Sequence, residues 1–175
     1  MARRQLYIAQ SLDGYIADAE GGVGWLEERG QGGDFGYSEF FAEVGALAMG
    51  AATYEQLLGW GTWPYADLPT WVSTHRELAI PEGALVRLTD RPPSEVVVEM
   101  ERETDGNIWL VGGADLARQW VDAGLLDELI LFVVPLLLGG GVRLFGDTVR
   151  ADLELAEVKT YDNGFVELRY GFPRP

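Results

Sequence analysis

Apolar residues along the chain cluster in two ways. Short continuous runs rich in β-branched and aromatic residues read as strands: residues 5–10, 46–49, Thr70–Ser73, residues 84–88, 108–111 and Glu128–Val134. Between them the spacing becomes helical. Phe35, Phe40, Phe41 and Val44 outline a helix ending near Glu43, and residues 53–58 read as a second, with Thr53 as N-cap and Gln56 completing a capping box. Pro92-Pro93-Ser94 opens a third helix running to about Glu103. Leu116, Ala117, Trp120 and Val121 mark a fourth, with Gly124 as its stop. Residues 153–161 and 165–172 alternate as antiparallel strands do, joined by the hairpin signal Asp162-Asn163-Gly164.

Strands alternating with helices and ending in a hairpin predict a three-layer α/β domain over residues 1–175. Its mixed sheet would be mostly parallel, with antiparallel strands at the C-terminal end. Ligands of such sheets lie beyond the carboxyl ends of the strands. That rule sends Ser11-Leu12-Asp13, Gly50-Ala51-Ala52-Thr53, Ser73-Thr74 and Gly112-Gly113 to one rim.

The stretch from Asn107 to Gly124 is the most informative, because strand, glycine pair and helix follow without a break. It is either a tight strand-to-helix turn or bare backbone at a helix N-terminus, where free N–H groups and the helix dipole favour a phosphate-bearing ligand. Ala114 after the pair separates it from the G-x-G-x-x-G dinucleotide fingerprint. Residues 30–36 hold four glycines in seven positions, a density that points to a functional loop.

Composition narrows the classes. The chain has 175 residues, no cysteine, one histidine and a formal charge of −15, and Lys159 is its lone lysine. Disulfides and thiolate metal sites are excluded, and His75 is too solitary for a triad or a metal centre, so no metal is expected. The negative field opposes nucleic-acid binding, and no apolar run approaches the ~18 residues of a membrane span. The N-terminus enters a strand pattern directly, without a signal-peptide pattern, so a cytoplasmic location is expected. An anionic ligand would depend on dipoles and a few well-placed arginines.

Five motifs in order resemble the dihydrofolate reductase-like family, and within it the branch of the riboflavin-biosynthesis deaminase-reductase C-terminal domain. They are Ile8-Ala-Gln-Ser-Leu-Asp-Gly-Tyr-Ile-Ala17, Met49-Gly-Ala-Ala-Thr-Tyr-Glu55, Trp71-Val-Ser-Thr74, Leu110-Val-Gly-Gly113, and Leu125-Leu-Asp-Glu-Leu129 with Pro135-Leu-Leu-Leu-Gly-Gly-Gly141 and Leu144-Phe145. The resemblance covers nearly the whole chain. It implies an NADPH-dependent reductase, with NADH as a possible cofactor, acting on a small molecule as a homodimer.

By position, the resemblance puts Gly112 and Gly113 beneath the cofactor pyrophosphate, joined by a cis peptide, with Ala114, Asp115 and Leu116 presenting a helix start. Gly50, Ala52 and Thr53 match a second phosphate-contacting helix start. Ser73 and Thr74 match the adenosine ribose and 2′-phosphate region, and Ala9 and Ile16 the walls beside the nicotinamide. Ala51 departs from the family, which carries arginine there against the 2′-phosphate. His75 or Arg76 could substitute, which implies a weakened rather than reversed NADPH preference.

Asp34, sixteen residues before Gly50, matches the proton-handling carboxylate, or else caps a helix. Asp13 is the competing carboxylate, in contact with substrate or serving its Asp-Gly turn. Gly139-Gly-Gly141 could cradle an anion, and Asp127-Glu128 reads as an exposed strand start. Trp60 and Trp63 either wall a pocket or cover the core. Side chains that would hold a pyrimidine's ribose phosphate are not identifiable.

The function implied is hydride transfer from NADPH to a pterin or related pyrimidine. The alternative is a catalytically decayed, cofactor-binding homodimer, with Ala51 as its first symptom.

Overall fold

The computed structural model describes residues 2–65 and 67–173. In chain order its elements are β1 (Arg4–Ser11), β2 (Tyr15–Ala17), α1 (Gly24–Gly30), α2 (Tyr37–Ala42), β3 (Val44–Gly50), α3 (Ala51–Gly59), β4 (Thr70–Ser73) and β5 (Val86–Thr89). They continue with α4 (Pro93–Glu103), β6 (Asn107–Gly112), α5 (Ala114–Asp122), β7 (Glu128–Val134), β8 (Val142–Arg143), β9 (Glu154–Thr160) and β10 (Val166–Gly171). Eight strands form one sheet in the order β5-β4-β3-β6-β1-β7-β10-β9. Neighbours from β5 to β7 run parallel, and β10 and β9 are added antiparallel at one end. This is the mixed sheet that the apolar runs and the terminal hairpin signal predict.

The sheet separates two apolar layers. On one face Val96, Val97 and Met100 of α4 and Leu116, Ala117 and Trp120 of α5 pack with Leu6, Ile108 and Leu110. On the other, Trp25 of α1, Phe40 of α2 and Tyr54 and Leu57 of α3 pack with Leu47, Met49 and Trp109. Helices therefore cover both faces, giving the three-layer α/β architecture that the alternation of strands and helices predicts. Removing a large side chain from such a layer costs about 3–5 kcal/mol, so α5 is held by Trp120 more than by its nine-residue length.

Several local expectations change. α3 begins at Ala51 with Gly50 as its cap residue, so Thr53 lies inside the first turn and the capping box does not form. Parallel pairing of Leu47 to Gly50 with Thr70 to Ser73 holds the chain extended to Gly50, and the helix starts on the next residue. α1 is a helix with no sequence signal, since it has seven residues and no side-chain cap. β2 lies outside the main sheet and pairs with β8, joining the segment after β1 to the segment after β7. Asp127 is not an exposed strand start. Its carboxylate accepts hydrogen bonds from the Arg4 backbone N–H, Nε and Nη2 at 2.9, 3.0 and 3.0 Å, while Glu128 accepts one from Gln5 Nε2 at 2.6 Å.

Candidate functional site

β3 and β6 are parallel neighbours, with Met49 opposite Gly112, so their carboxyl ends and the helices that follow stand side by side. Gly113, with φ +98°, turns the chain from β6 into α5, a conformation that a side chain disfavours. A Cβ at Gly113 would lie 3.5 Å from both the Cα and the N of Gly50. The two turns thus touch as bare backbone. Neither α3 nor α5 has a side-chain cap, and their cap residues are Gly50 and Gly113. The first N–H groups of both helices are left for an outside acceptor, where the helix dipoles favour an anion. The Gly112–Gly113 peptide is trans, as is every peptide bond among the described residues, which corrects the expectation of a cis bond.

Next to these turns opens a cavity of about 790 Å³. Gly112, Gly113, Ala114, Ala52 and Thr53 line one side, and Ala9 and Ile16 line it from β1 and β2. Much of the remaining lining is aromatic, including Tyr7, Phe35, Tyr37, Tyr65, Phe132 and Phe165. Tyr7 stacks on Phe40 with ring centres 4.2 Å apart, and Phe35 stacks on Phe165 at 5.2 Å. Burial pushes the Tyr7 and Tyr65 hydroxyls well above the ordinary phenol range, so both remain neutral hydrogen-bond donors. Burial also raises Tyr37, with its contact to the Tyr65 hydroxyl working the other way.

Asp34 borders the cavity from the glycine-rich loop. Its Oδ1 accepts from Ser38 Oγ at 2.6 Å and from Ser38 N–H at 3.1 Å, which orients the carboxylate and secures the start of α2. Phe35, at φ +51°, is the one non-glycine residue with positive φ among those described. Its carbonyl lies 3.2 Å from Tyr161 Oη, where this loop meets the C-terminal hairpin. The single Tyr161 hydroxyl hydrogen points chiefly to the closer Glu167, a carboxylate only 2% exposed that also accepts from Arg169 Nε at 2.6 Å.

The predicted rim divides. Asp13 does not line the cavity; its carboxylate accepts from Ser11 Oγ at 2.6 Å and from the N–H groups of Leu138 and Gly139 at 3.0 and 2.8 Å. The hydrogen bond from Ser11 leads the causes that lower its pKa to about 2. Of the triple-glycine segment Gly139 alone donates to this carboxylate, with Leu138 before it. Asp115 pairs with Arg118 at 2.8 Å, and Leu116 is 4% exposed in the core, so neither side chain reaches the cavity. The two tryptophans separate as well: Trp60, 58% exposed, lines the cavity, while Trp63, 7% exposed, packs on Tyr54 and Tyr65.

Thr74, His75 and Arg76 line a second cavity of about 480 Å³ with Arg87, Thr89 and Arg91, beyond the ends of β4 and β5. Ser73 and Gly50 line neither cavity with their side chains or Cα, although both end strands at this rim. The arginines here are engaged: Arg76 with Glu55 at 3.1 and 2.7 Å, Arg87 with Glu103 at 2.6 Å, and Arg91 with Glu99. Glu55 stands one helical turn after Ala51, which brings the Arg76 guanidinium to the face of α3 that carries Ala51.

Sequence reasoning missed the aromatic walls. Tyr7 had a signal in the alternation of β1, where Tyr7 and Ala9 face one layer and Leu6 and Ile8 the other. Tyr37, Tyr65 and Phe165 belong to separate segments with no shared spacing.

A family model described as the RibD C-terminal domain matches residues 5–167. YwjB, an uncharacterized protein of Bacillus subtilis (strain 168), is 34% identical over 167 residues, which cover 94% of this chain and 95% of YwjB. Among solved structures, a candidate riboflavin biosynthesis protein from Shewanella sp. PV-4 superposes with a TM-score of 0.87 at 27% identity, covering 99% of this chain and 100% of that one. A deaminase–reductase from Thermotoga maritima, named for a phosphoribosylamino-uracil as the compound it reduces, shares the fold with a TM-score of 0.70 at 16% identity, over 98% of this chain and 57% of that one. The match to the family model runs from β1 into β10 and takes in both glycine turns, and on that ground the chain belongs to the RibD C-terminal domain family.

Proposed function

We propose that the protein is an NAD(P)H-dependent reductase that transfers hydride to a pterin or a related pyrimidine-type ring. The observation that carries this reading is the contact between two uncapped helix starts, at Gly50 and Gly113, beside a cavity large enough for a nicotinamide and a second ring. The residues present fit the cofactor's anionic portion. Gly113 turns at φ +98°, which a side chain disfavours, and the backbone N–H groups of Ala51 to Thr53 and Ala114 to Leu116 suit a pyrophosphate.

A reduced nicotinamide held there would supply a hydride, so that a substrate C=N bond would gain hydride at carbon and a proton at nitrogen to become CH–NH. Ala9 and Ile16 wall the nicotinamide side, and the aromatic walls hold the substrate ring and exclude water. Asp34, fixed by Ser38, is the carboxyl group placed to pass on the proton. Arg76 stands in for the arginine absent at Ala51, so NADPH is preferred over NADH by less than a dedicated arginine would give. The working unit in this reading is a homodimer of single-domain chains.

The test is titration with NADPH and NADH, followed by quenching of tryptophan fluorescence, since Trp60 and Trp109 both line the cavity. Micromolar binding of NADPH, with NADH weaker, is expected. A folded protein that binds neither would overturn the reading, the fold being kept without its chemistry, whereas binding without turnover would favour the decayed, cofactor-binding homodimer.

A further inference from the structure

Among the described residues, no arginine, lysine or histidine lines the cavity. Its carboxylates are Glu27 and Asp34, and its other polar side chains are the tyrosines with Gln31, Thr53, Gln56, Trp60 and Trp109. Cations in neighbouring segments are turned to other work. Arg29 Nη1 donates to the Trp25 carbonyl at 3.2 Å, Arg143 lies over the Tyr15 ring at 4.8 Å, and Arg169 serves Glu167 at 2.6 Å. The anion-favouring features on the lining are the starts of α3 and α5, and the reductase reading assigns both to the cofactor pyrophosphate.

A substrate phosphate would then sit in a site walled by aromatic rings, with two solvent-exposed carboxylates and no cation among its described lining residues. Desolvating a phosphate without a charged partner is costly, and the exposed carboxylates add a smaller, screened repulsion. A neutral ring meets the opposite conditions. The Tyr7–Phe40 and Phe35–Phe165 stacks fix aromatic faces around the cavity, and aromatic faces favour planar ligands.

We propose that the substrate is a planar aromatic heterocycle bearing no phosphate or other fixed negative charge, held between the Tyr7, Phe35 and Phe165 walls. This inference rests on the reductase reading for the placement of the cofactor. It sets the chain apart from the Thermotoga maritima fold relative, whose name specifies a phosphoribosyl compound. A substrate side chain of hydroxyl groups is compatible with Gln31, Gln56 and Glu27; its phosphate ester is not.

The experiment uses a matched pair of probes, riboflavin and riboflavin 5′-phosphate, titrated into protein saturated with NADP⁺ and, in parallel, into protein alone. NADPH is titrated separately without flavin. Riboflavin is expected to bind at least about tenfold more tightly than its phosphate, and Glu27→Arg is expected to narrow or reverse that ratio. Equal or tighter binding of the phosphate by the NADP⁺-saturated wild type overturns the proposal, as does a failure of both flavins to bind while NADPH binds. Loss of NADPH binding with the riboflavin preference intact would instead strike the reductase reading and support the exclusion of phosphate.

Discussion

Asp13 accepts three hydrogen bonds from within the fold, whereas Asp34 accepts its bonds from Ser38 and borders the cavity. The two carboxylates therefore answer differently to the same substitution. Asp13 has a folded pKa of about 2 against an ordinary value of 3.8, so its stabilising effect is complete above the ordinary value and is lost as the pH falls from about 4 to about 2. An Asp13→Asn variant, whose amide N–H groups oppose those of Leu138 and Gly139, is expected to melt below wild type at pH 6. The gap should close across that acid window when Tm is followed by circular dichroism; a gap independent of pH would disprove the assignment. Asp34→Asn is expected to leave NADPH affinity within about twofold and to lower kcat by about 100-fold or more at neutral pH, the range of a lost general acid. An unchanged rate would remove Asp34 from the chemistry. Both residues were visible in the sequence as candidates. Their separation was not, because Asp13 meets its partners 125 and 126 residues away.

Among the elements, α3 carries the consequence of Ala51. The capping box expected from Thr53 and Gln56 would have put the helix start two residues later and closed it with a hydroxyl. The start at Ala51, with Gly50 before it, leaves those N–H groups to an acceptor beyond the chain. On the same helix, Glu55 occupies Arg76 with two hydrogen bonds. Releasing that guanidinium should let it meet a 2′-phosphate in full. Glu55→Gln is expected to raise the ratio of NADH to NADPH dissociation constants by about tenfold, and Arg76→Ala to bring it close to one. If both variants keep the wild-type ratio, Arg76 has no part in telling the two cofactors apart. The sequence offered Arg76 as a substitute only by proximity, and pairing across 21 residues identifies the face of α3 that it reaches.

The molecule as a whole carries a formal charge of −15, so a dinucleotide with its phosphates approaches against the mean field while the helix starts attract it locally. At 0.01 M salt the Debye length is about 30 Å and the whole surface repels; at 0.15 M it is about 8 Å and the helix starts dominate. NADPH affinity and association rate are accordingly expected to rise with ionic strength over this interval, measured by stopped-flow fluorescence. A steady fall with salt would mean that the arginines of the second cavity govern the encounter. No described helix is long and apolar enough to cross a membrane, and no described group of three or more acidic, histidine or cysteine side chains is placed to hold a metal ion.

Period-two alternation and continuous apolar runs mark strands, helical spacing marks the covering helices, and glycines mark the turns where no Cβ fits. These signals are local, which is why β4, β6, β7 and the hairpin of β9 and β10 could be read from the residues themselves. The aromatic chamber is different in kind. Tyr7, Phe35, Tyr37, Tyr65, Phe132 and Phe165 come from strands, loops and helices across the chain, and nothing in their spacing relates them. Sheet order set them together, as it set Gly113 against Gly50 and brought Asp13 to the backbone of Gly139. Contacts between distant segments arise when separate apolar faces seek one core, and the site's walls follow from that packing.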